Sequence, residues 1–478
     1  MRAFLAAMTA ALILGATAIT ADAEPEDDGL RLESSVSYRL DPDAKMVVVS
    51  MDLKLTNQIP DRGNQYFYFD EAWLPVPSEV TNVTATSGGA SLRTRVDPTD
   101  NPLWSDLLIT LGRDLLYKQT QTIEVSYELP DLPPRSEGWT RANPAYASFA
   151  AFPVGDAGLA DLEVIVPAGY EVEATGSELT REVVDGATVF RATDIADPDV
   201  WLATLVARND ALLVERRVSV DEHEVVLRAW PGDTEWADSV GDYVTRGIPA
   251  LADLIAREWP VDGELEIIET STPHLYGYGG WYDTATDTIE IGDELDPHLI
   301  LHELSHAWFN ETVSNEVWLV EGLAEEYSAQ ALEALGANSP TPSAVADSDP
   351  GAQPLLAWDQ ADPADSEADE QEDYGYRASW WLVDQLASEV GTEAMAEVID
   401  AAVDGEIAYQ GDGEPERVHG GTDWRRALDL LEEIGGAESA AGLFTSHVVT
   451  DAELPLLADR DAARQVYADL VATGSGWT

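Results

Sequence analysis

One short stretch of the chain carries residue types suited to metal chemistry. Leu301 to Phe309 reads L-H-E-L-S-H-A-W-F, with His302 and His306 four positions apart and Glu303 directly after the first histidine. On a helix, residues four apart lie on one face, one turn apart, so both imidazoles can present a nitrogen to one ion. Glu303 can then reach a water beside the ion without binding the ion itself, as a general base requires. The pattern predicts a metal-dependent hydrolytic centre.

Two helices are expected to position these groups. Asp296-Pro297 predicts a helix start, because aspartate caps free amides and proline fits the first turn without losing a hydrogen bond. This helix is expected to run to about Phe309. A second helix is predicted from Val317 to Leu335, ending at Gly336.

The second helix is expected to supply a third ligand, because catalytic zinc sites usually have three protein ligands and leave one position for water. Trp318 to Glu325 reads W-L-V-E-G-L-A-E and carries two acids one helical turn apart, Glu321 and Glu325. Either acid could face the first helix.

Together, the H-E-L-S-H-A-W-F and W-L-V-E-G-L-A segments resemble the gluzincin metallopeptidases, specifically the M1 family of aminopeptidases and its bacterial relatives. In that family the glutamate before glycine in the second motif is the third zinc ligand, which implies Glu321 and one zinc per chain. The family places eighteen residues between the second histidine and this glutamate, whereas fourteen separate His306 from Glu321, and the longer gap would select Glu325. The local motif favours Glu321. Glu325 would then orient a ligating histidine.

The resemblance also implies a tyrosine that donates a hydrogen bond to the tetrahedral oxyanion. Asp373 to Trp380 reads D-Y-G-Y-R-A-S-W and is similar to the family's Y-x-x-G stretch, with Ser379 in place of the glycine. Tyr376 is the expected donor, and Tyr374 is the alternative.

A glycine-rich segment at 279–283 is the nearest equivalent of the family's Gly-x-Met-Glu-Asn strand, whose acid binds the free amine of the substrate. Gly279 and Gly280 are expected to lie on an edge strand that pairs with an extended peptide. Tyr282 occupies the place of the acid, so Asp283, one residue later, is the nearest candidate for amine binding. The resemblance implies an aminopeptidase. An endopeptidase of the same fold is the alternative.

The remainder of the chain predicts an α+β multidomain scaffold in three parts: an N-terminal antiparallel β-sandwich over residues 24–212, a thermolysin-like catalytic domain over 213–400, and a short helical C-terminal part over 401–478. Apolar residues alternate from Leu32 to Leu40 and again in later segments, which is typical of half-buried strands. In the catalytic part, Glu264 to Thr270 and Thr288 to Gly292 are expected to be strands of a small mixed sheet.

Helical spacing marks the rest of the catalytic part. Thr234 to Trp259 predicts a long helix, weakened in its middle by Gly241, Gly247 and Pro249. A loop with an acidic insertion at 362–373 is expected before helical spacing returns over Ala378 to Ala402.

Charge and composition exclude several partners. Twenty-six Lys and Arg against ninety Asp and Glu give a net charge of -64, which repels nucleic acid and anionic lipid. With no cysteine, the chain has neither disulfides nor thiolate ligands. The resemblance implies a peptide substrate, and the oligomeric state is not indicated.

Residues 1–23 read as a secretory signal peptide, with Arg2 at its start, an apolar run and a small-residue cleavage site near Ala23. The mature chain is expected to be secreted, without stable membrane insertion. Two other classes of protein fit the same sequence: a non-catalytic metal-binding module, and an interaction protein built on the sandwich.

Overall fold

The computed structural model describes residues 29–138, 140–272, 274–275, 278–346, 348–358, 369–409 and 416–474. The predicted signal peptide at 1–23 and residues 362–368 of the acidic stretch lie outside them. Within the described residues, none of the helices combines the length and the apolar character needed to cross a membrane.

The described residues form two compact units. The first consists of residues 29–214 with Ala229–Asp233, and the second of Glu215–Arg228 with residues 234–474. The helices after residue 400 belong to the second unit. The boundaries predicted at 212 and 400 stay predictions.

The first unit is built from strands, and the fold class is mixed α+β as predicted. Its strands are β1 (Leu30–Asp41), β2 (Met46–Asn57), β3 (Tyr68–Pro77), β4 (Thr81–Ser87), β5 (Ala90–Ser91), β6 (Arg93–Pro98), β7 (Trp104–Leu116), β8 (Thr120–Pro130), β9 (Arg141–Ala142), β10 (Tyr146–Ala151), β11 (Ala160–Val166), β12 (Glu171–Gly176), β13 (Thr180–Val184), β14 (Ala187–Ala192) and β15 (Ala203–Arg208).

These strands form an eight-stranded sheet in the order β13-β14-β11-β1-β2-β8-β4-β5, a four-stranded sheet β12-β15-β10-β9 and a three-stranded sheet β3-β7-β6. Alternate residues of β1 are buried, as its sequence pattern predicts, and they join one apolar core with residues of the other two sheets. One pairing differs from the antiparallel expectation. β1 and β11 run parallel, because the chain crosses over several intervening strands before it returns to β1.

The second unit combines a small sheet with helices. Its strands are β16 (Val214–Val220), β17 (His223–Ala229), β18 (Glu264–Thr270), β19 (Gly280–Asp283) and β20 (Thr288–Gly292), and its helices are α1 (Thr234–Ile255), α2 (Pro297–Ser305), α3 (Val317–Ala334), α4 (Asp369–Val390), α5 (Thr392–Val403), α6 (Trp424–Glu433), α7 (Ala440–Leu443) and α8 (Leu454–Gly474). The sheet order is β16-β17-β18-β20-β19. The sheet is mixed, as predicted, because β18 pairs in parallel with β17 and β20 while the edge strand β19 pairs antiparallel with β20.

Helix α1 runs unbroken through the glycines and proline that were expected to weaken it. Gly247 instead permits close helix packing, since a Cβ at this position would collide with the side chain of Leu301 on α2. A small residue at the contact brings α2 closer to α1, so the glycine serves the position of the histidine-bearing helix.

Helix boundaries differ from the sequence expectation in three places, and the first is α1, which ends at Ile255 rather than Trp259. α2 ends at Ser305 rather than Phe309, because the amides of Ala307 and Trp308 donate to carbonyls only three residues back, at 3.2 and 2.9 Å, and so tighten the chain into turns. The helix expected over Ala378 to Ala402 starts earlier, at Asp369. It is also divided at Gly391, whose φ of 82° interrupts the helical hydrogen bonds.

Candidate metal centre

Helix α2 is anchored as its first residues predict. The Asp296 carboxylate accepts the backbone N–H of His298 at 2.9 Å, and Pro297 occupies the first helical position. His302 and Glu303 lie buried in the last turn of α2, while His306 is the residue that ends the helix and keeps helical dihedral angles. The spacing of four therefore still places both imidazoles on one face.

Helix α3 brings an acid to these imidazoles. Glu321 Oε2 lies 3.3 Å from His302 Nε2 and 3.5 Å from His306 Nε2, and the two imidazole nitrogens are 3.1 Å apart. Gly322, the next residue, fits against α4, since a Cβ there would lie 2.7 Å from the Ser379 carbonyl oxygen. The glycine of the W-L-V-E-G segment thus lets two helices approach behind the acid.

The three atoms fit a tetrahedral zinc site. Ligands about 2.0–2.2 Å from one ion in a tetrahedron lie about 3.3–3.5 Å from each other, close to the three separations observed. Glu321 Oε2 is also a buried acceptor that receives no well-formed hydrogen bond from any described residue. A buried carboxylate oxygen is costly in that state, and a cation between the three donors would satisfy it.

The Nδ1 atom of each imidazole has a neighbour that leaves Nε2 facing Glu321. His306 Nδ1 lies 2.9 Å from the Phe309 carbonyl oxygen, so the ring donates there and leaves the Nε2 lone pair toward the centre. His302 Nδ1 faces Glu325 Oε1 at 3.8 Å. Glu325 therefore lies behind His302, and the geometry groups Glu321 rather than Glu325 with the two imidazoles.

Without a metal, the charges of the two imidazoles and of Glu321 shift each other's pKa values. Burial alone would lower the pKa of His302, but the close Glu321 carboxylate and the other surrounding acids raise that pKa to about 9. Burial alone would raise the pKa of Glu321, but the two imidazoles hold it well below its usual range. The metal-free cluster thus carries protons on nitrogens that a cation would have to replace.

Glu303 lies against the edge strand rather than among the three donors. A Cβ on Gly280 would lie 2.5 Å from Glu303 Oε1, so only glycine leaves room for this carboxylate beside β19. Burial raises the pKa of Glu303, against the opposing effect of His302 and His306. Gly279 similarly accommodates Leu299 of α2, at 2.9 Å from where its Cβ would be.

The predicted amine-binding residue is engaged elsewhere. Asp283 ends β19, and its Oδ1 accepts the backbone N–H of Ala285 at 2.9 Å in the exposed turn before β20. The neighbouring Tyr282 hydroxyl donates to Asp287 at 3.1 Å in the same hairpin. Among the described residues, neither contacts the two imidazoles or Glu321.

Tyr376 lies on α4, near the candidate centre. Burial, with added effects from the charges of Glu321 and Glu303, raises the pKa of Tyr376 well above its ordinary value, so its hydroxyl remains a neutral donor. The alternative, Tyr374, is buried at 3% exposure and lies under the Arg377 guanidinium, 6.0 Å from its ring centroid.

The buried carboxylate of Glu372 supports the ring of Tyr376 through Trp358. No sequence motif identifies this residue. Glu372 is 2% exposed and accepts the Tyr278 hydroxyl at 2.5 Å and Trp358 Nε1 at 3.2 Å. The Trp358 ring meets the Tyr376 ring edge to face at 5.0 Å, and Gly375 leaves space for it beside α4. Glu372 falls in the acidic run that was interpreted as an insertion, and its own sequence context carries no signal of burial.

Comparison with known proteins gives structural matches only. No family model matches the sequence, and no curated protein does.

Among solved structures, an M1 zinc metallopeptidase mutant from Deinococcus radiodurans bound to a Tyr-Ser-Ala substrate is 17% identical, with 88% of this chain and 95% of that chain covered and a TM-score of 0.35. The M1 zinc metallopeptidase from the same organism without a named substrate is 18% identical, with 87% and 93% covered and a TM-score of 0.34. This chain thus matches M1 zinc metallopeptidase structures over most of its length, at low sequence identity.

Proposed function

We propose that this protein is a secreted, zinc-dependent peptidase that hydrolyses peptide bonds. The observation that carries the proposal is the convergence of His302, His306 and Glu321 within 3.1–3.5 Å, with the buried Glu303 beside them. Two imidazoles and one carboxylate would hold one zinc ion per chain.

Each residue then has a distinct task. When bound, zinc supplies a Lewis acid that polarises a carbonyl group and lowers the pKa of water. Glu303 accepts the proton of the attacking water and passes it to the leaving amine. Its raised pKa favours this exchange, because a general base works best when its pKa approaches the operating pH.

Tyr376 would stabilise the charge that develops on the substrate oxygen. A neutral phenol hydroxyl donates a hydrogen bond, and the raised pKa of Tyr376 keeps its proton in place. Trp358 and Glu372 hold the ring from behind. Donors that are preoriented in a buried site stabilise an oxyanion without reorganisation during the reaction.

The sequence resemblance favours an aminopeptidase. One observation favours the second candidate, an endopeptidase: the Asp283 carboxylate is bound within its own hairpin turn. An aminopeptidase must offer a negative partner to a buried ammonium group, since an unpaired charge is costly. Cleavage of one peptide with a free and with an acetylated N-terminus separates the two, because only an aminopeptidase loses activity on acetylation.

Replacement of the base tests the hydrolytic function. We expect Glu303→Gln to keep about one zinc per chain by elemental analysis and to lose roughly 100- to 10,000-fold in peptide hydrolysis, because only the proton acceptor is removed. Glu294→Gln is the matched control, since Glu294 is an exposed acid just before α2. Equal hydrolysis by the Glu303→Gln protein would reject the mechanism, and a wild-type protein that holds zinc without cleaving peptides would be a non-catalytic binding module.

Secretion is tested separately. Expression of the full chain in a secreting host should release a protein whose N-terminal sequence begins at Glu24. Retention of residues 1–23 would contradict the predicted signal peptide.

A further inference from the structure

A cavity of about 590 Å³ borders the candidate centre within the second unit. Glu325, which lies behind His302, and Tyr376 both line it. A cavity of this size falls in the range that holds small ligands, and it exceeds what a single amino-acid side chain needs. It is therefore placed to receive part of a substrate held at the centre.

Aromatic rings form part of the wall. Tyr243 and Trp380 both line the cavity, and the Arg246 guanidinium already lies over the Tyr243 ring, 5.3 Å from its centroid. The Trp380 ring is held in place, since its Nε1 donates to Glu326 Oε2 at 3.1 Å and its face stacks on His298, with centroids 5.3 Å apart and planes 29° apart. Fixed aromatic faces attract cations as well as apolar groups.

Two carboxylates contribute negative charge to the same wall. Asp296 uses one oxygen to cap α2 and is partly exposed. Glu325 is also partly exposed, with its Oε2 3.5 Å from His298 Nε2. Asp296 makes no ion pair with an arginine or lysine among the described residues, so its charge is available to the cavity. Glu325 shares its charge with His298 and His302.

One arginine also lines the cavity, but nearby acids offset its charge. Arg377 lies 3.6 Å from Asp349 and 3.5 Å from Asp373. Asp296 and Glu325 add two carboxylates to the cavity wall, against the one guanidinium of Arg377. The local charge is negative, in line with the net charge of -64 of the whole chain.

We propose that this cavity binds the cationic side chain of an arginine or lysine that flanks the scissile bond. The Trp380 ring would contact the aliphatic part of that side chain and its charge, and Asp296 with Glu325 would complement the positive group. The inference rests on the proposed peptidase function and adds a substrate class to it.

Matched peptides with side chains of different charge test the preference. Citrulline has the shape of arginine without its charge, so we compare kcat/KM for matched peptides carrying arginine, citrulline or glutamate on either side of the scissile bond. We expect arginine to exceed citrulline at least about 10-fold at one of the two positions, because one good charge pair in a partly buried pocket is worth about that factor. Equal rates would overturn the proposal, and a preference for glutamate would show that Arg377 controls the cavity.

The Asp296→Asn variant tests whether the preference for arginine arises in this cavity. Asparagine caps a helix about as well as aspartate, so the substitution removes the charge and keeps α2 anchored. The arginine-to-citrulline ratio should fall roughly 3- to 10-fold. Asp423→Asn is the matched control, because Asp423 caps α6 in the same way, through the Arg426 amide at 2.9 Å, and does not line the cavity. An unchanged ratio in Asp296→Asn would overturn the assignment to this cavity.

A binding measurement separates this inference from the proposed function. Zinc-loaded Glu303→Gln protein is titrated by calorimetry with arginine amide and with citrulline amide. We expect tighter binding of arginine amide, and a smaller difference after Asp296→Asn is added. If the wild type cleaves no peptide, the proposed function fails, yet the titration still decides the binding preference: equal affinities reject it.

Discussion

The two sides of the candidate centre are built differently. On one side, α2 and α3 direct His302, His306 and Glu321 toward one point. On the other, the β19–β20 hairpin approaches Glu303 through Gly280, while its acid Asp283 is bound in the turn. Helix periodicity brings distant side chains together on one face, whereas on a short edge strand the nearest free amide captures the carboxylate. Helix periodicity therefore positions the metal ligands, whereas a hydrogen bond within the turn positions the carboxylate on the hairpin side.

The largest expected effect is on the helix side. Glu321→Ala should lower zinc affinity by at least about 1000-fold, because it removes one of three ligands. Glu325→Ala should lower it by about 10- to 100-fold, because Glu325 faces only the back of His302. Zinc competition with a fluorescent chelator measures both. A larger loss of zinc affinity in Glu325→Ala than in Glu321→Ala would mean that Glu325 is the third ligand.

The oxyanion donor comes next. Tyr376→Phe should lower kcat about 100-fold with little change in KM, because its hydrogen bond is made mainly in the transition state. Tyr374→Phe is the control. A loss of kcat in Tyr374→Phe alone would mean that the donor lies two residues earlier on α4.

Zinc affinity should depend on pH. In the metal-free protein the pKa of His302 is about 9, so this ring is largely protonated at pH 7, and the pKa of His306 is raised above its usual value by Glu321. Zinc must displace the proton of His302. Apparent affinity should therefore rise about 10-fold per pH unit below pH 9 for the proton displaced from His302, and level off above it. Calorimetry between pH 6 and 10 measures this, and a flat profile would show that the imidazoles are already unprotonated.

The smallest effect is expected on the hairpin side. Asp283→Ala should change kcat/KM for a free-amine peptide by less than about twofold, because its carboxylate is engaged with the Ala285 amide. A large loss of kcat/KM on the free-amine peptide, absent on its acetylated form, would show that Asp283 binds the substrate amine. Both sides of the centre would then carry residues that act in the reaction.

Sequence patterns predicted the elements that depend on local rules. β18 and β20 have the bounds expected from the sequence, and α3 ends just before Gly336, whose φ of 71° stops the helix. The Asp296 cap and the two imidazoles follow from residues within one helix. These features need no information from distant parts of the chain.

Features that depend on tertiary contacts were not predicted. Glu372 belongs to a run of acids typical of a solvated loop, and only Tyr278 and Trp358, from other parts of the chain, make its burial favourable. From local propensity, Gly247 predicts a weak helix. Nothing near it in the sequence reveals that Leu301 packs against it. Packing of this kind overrides local propensity.

The short distance along the chain between His302 and Glu321 has a consequence for folding. An ion held by both would act as a crosslink between α2 and α3 in a chain without cysteine. By analogy with a disulfide, closing a loop of this length removes conformational entropy from the unfolded chain worth about 3 kcal/mol. Because the loop is short, closing it costs less conformational entropy than closing a long loop would, and zinc would then secure a contact that is local in the sequence.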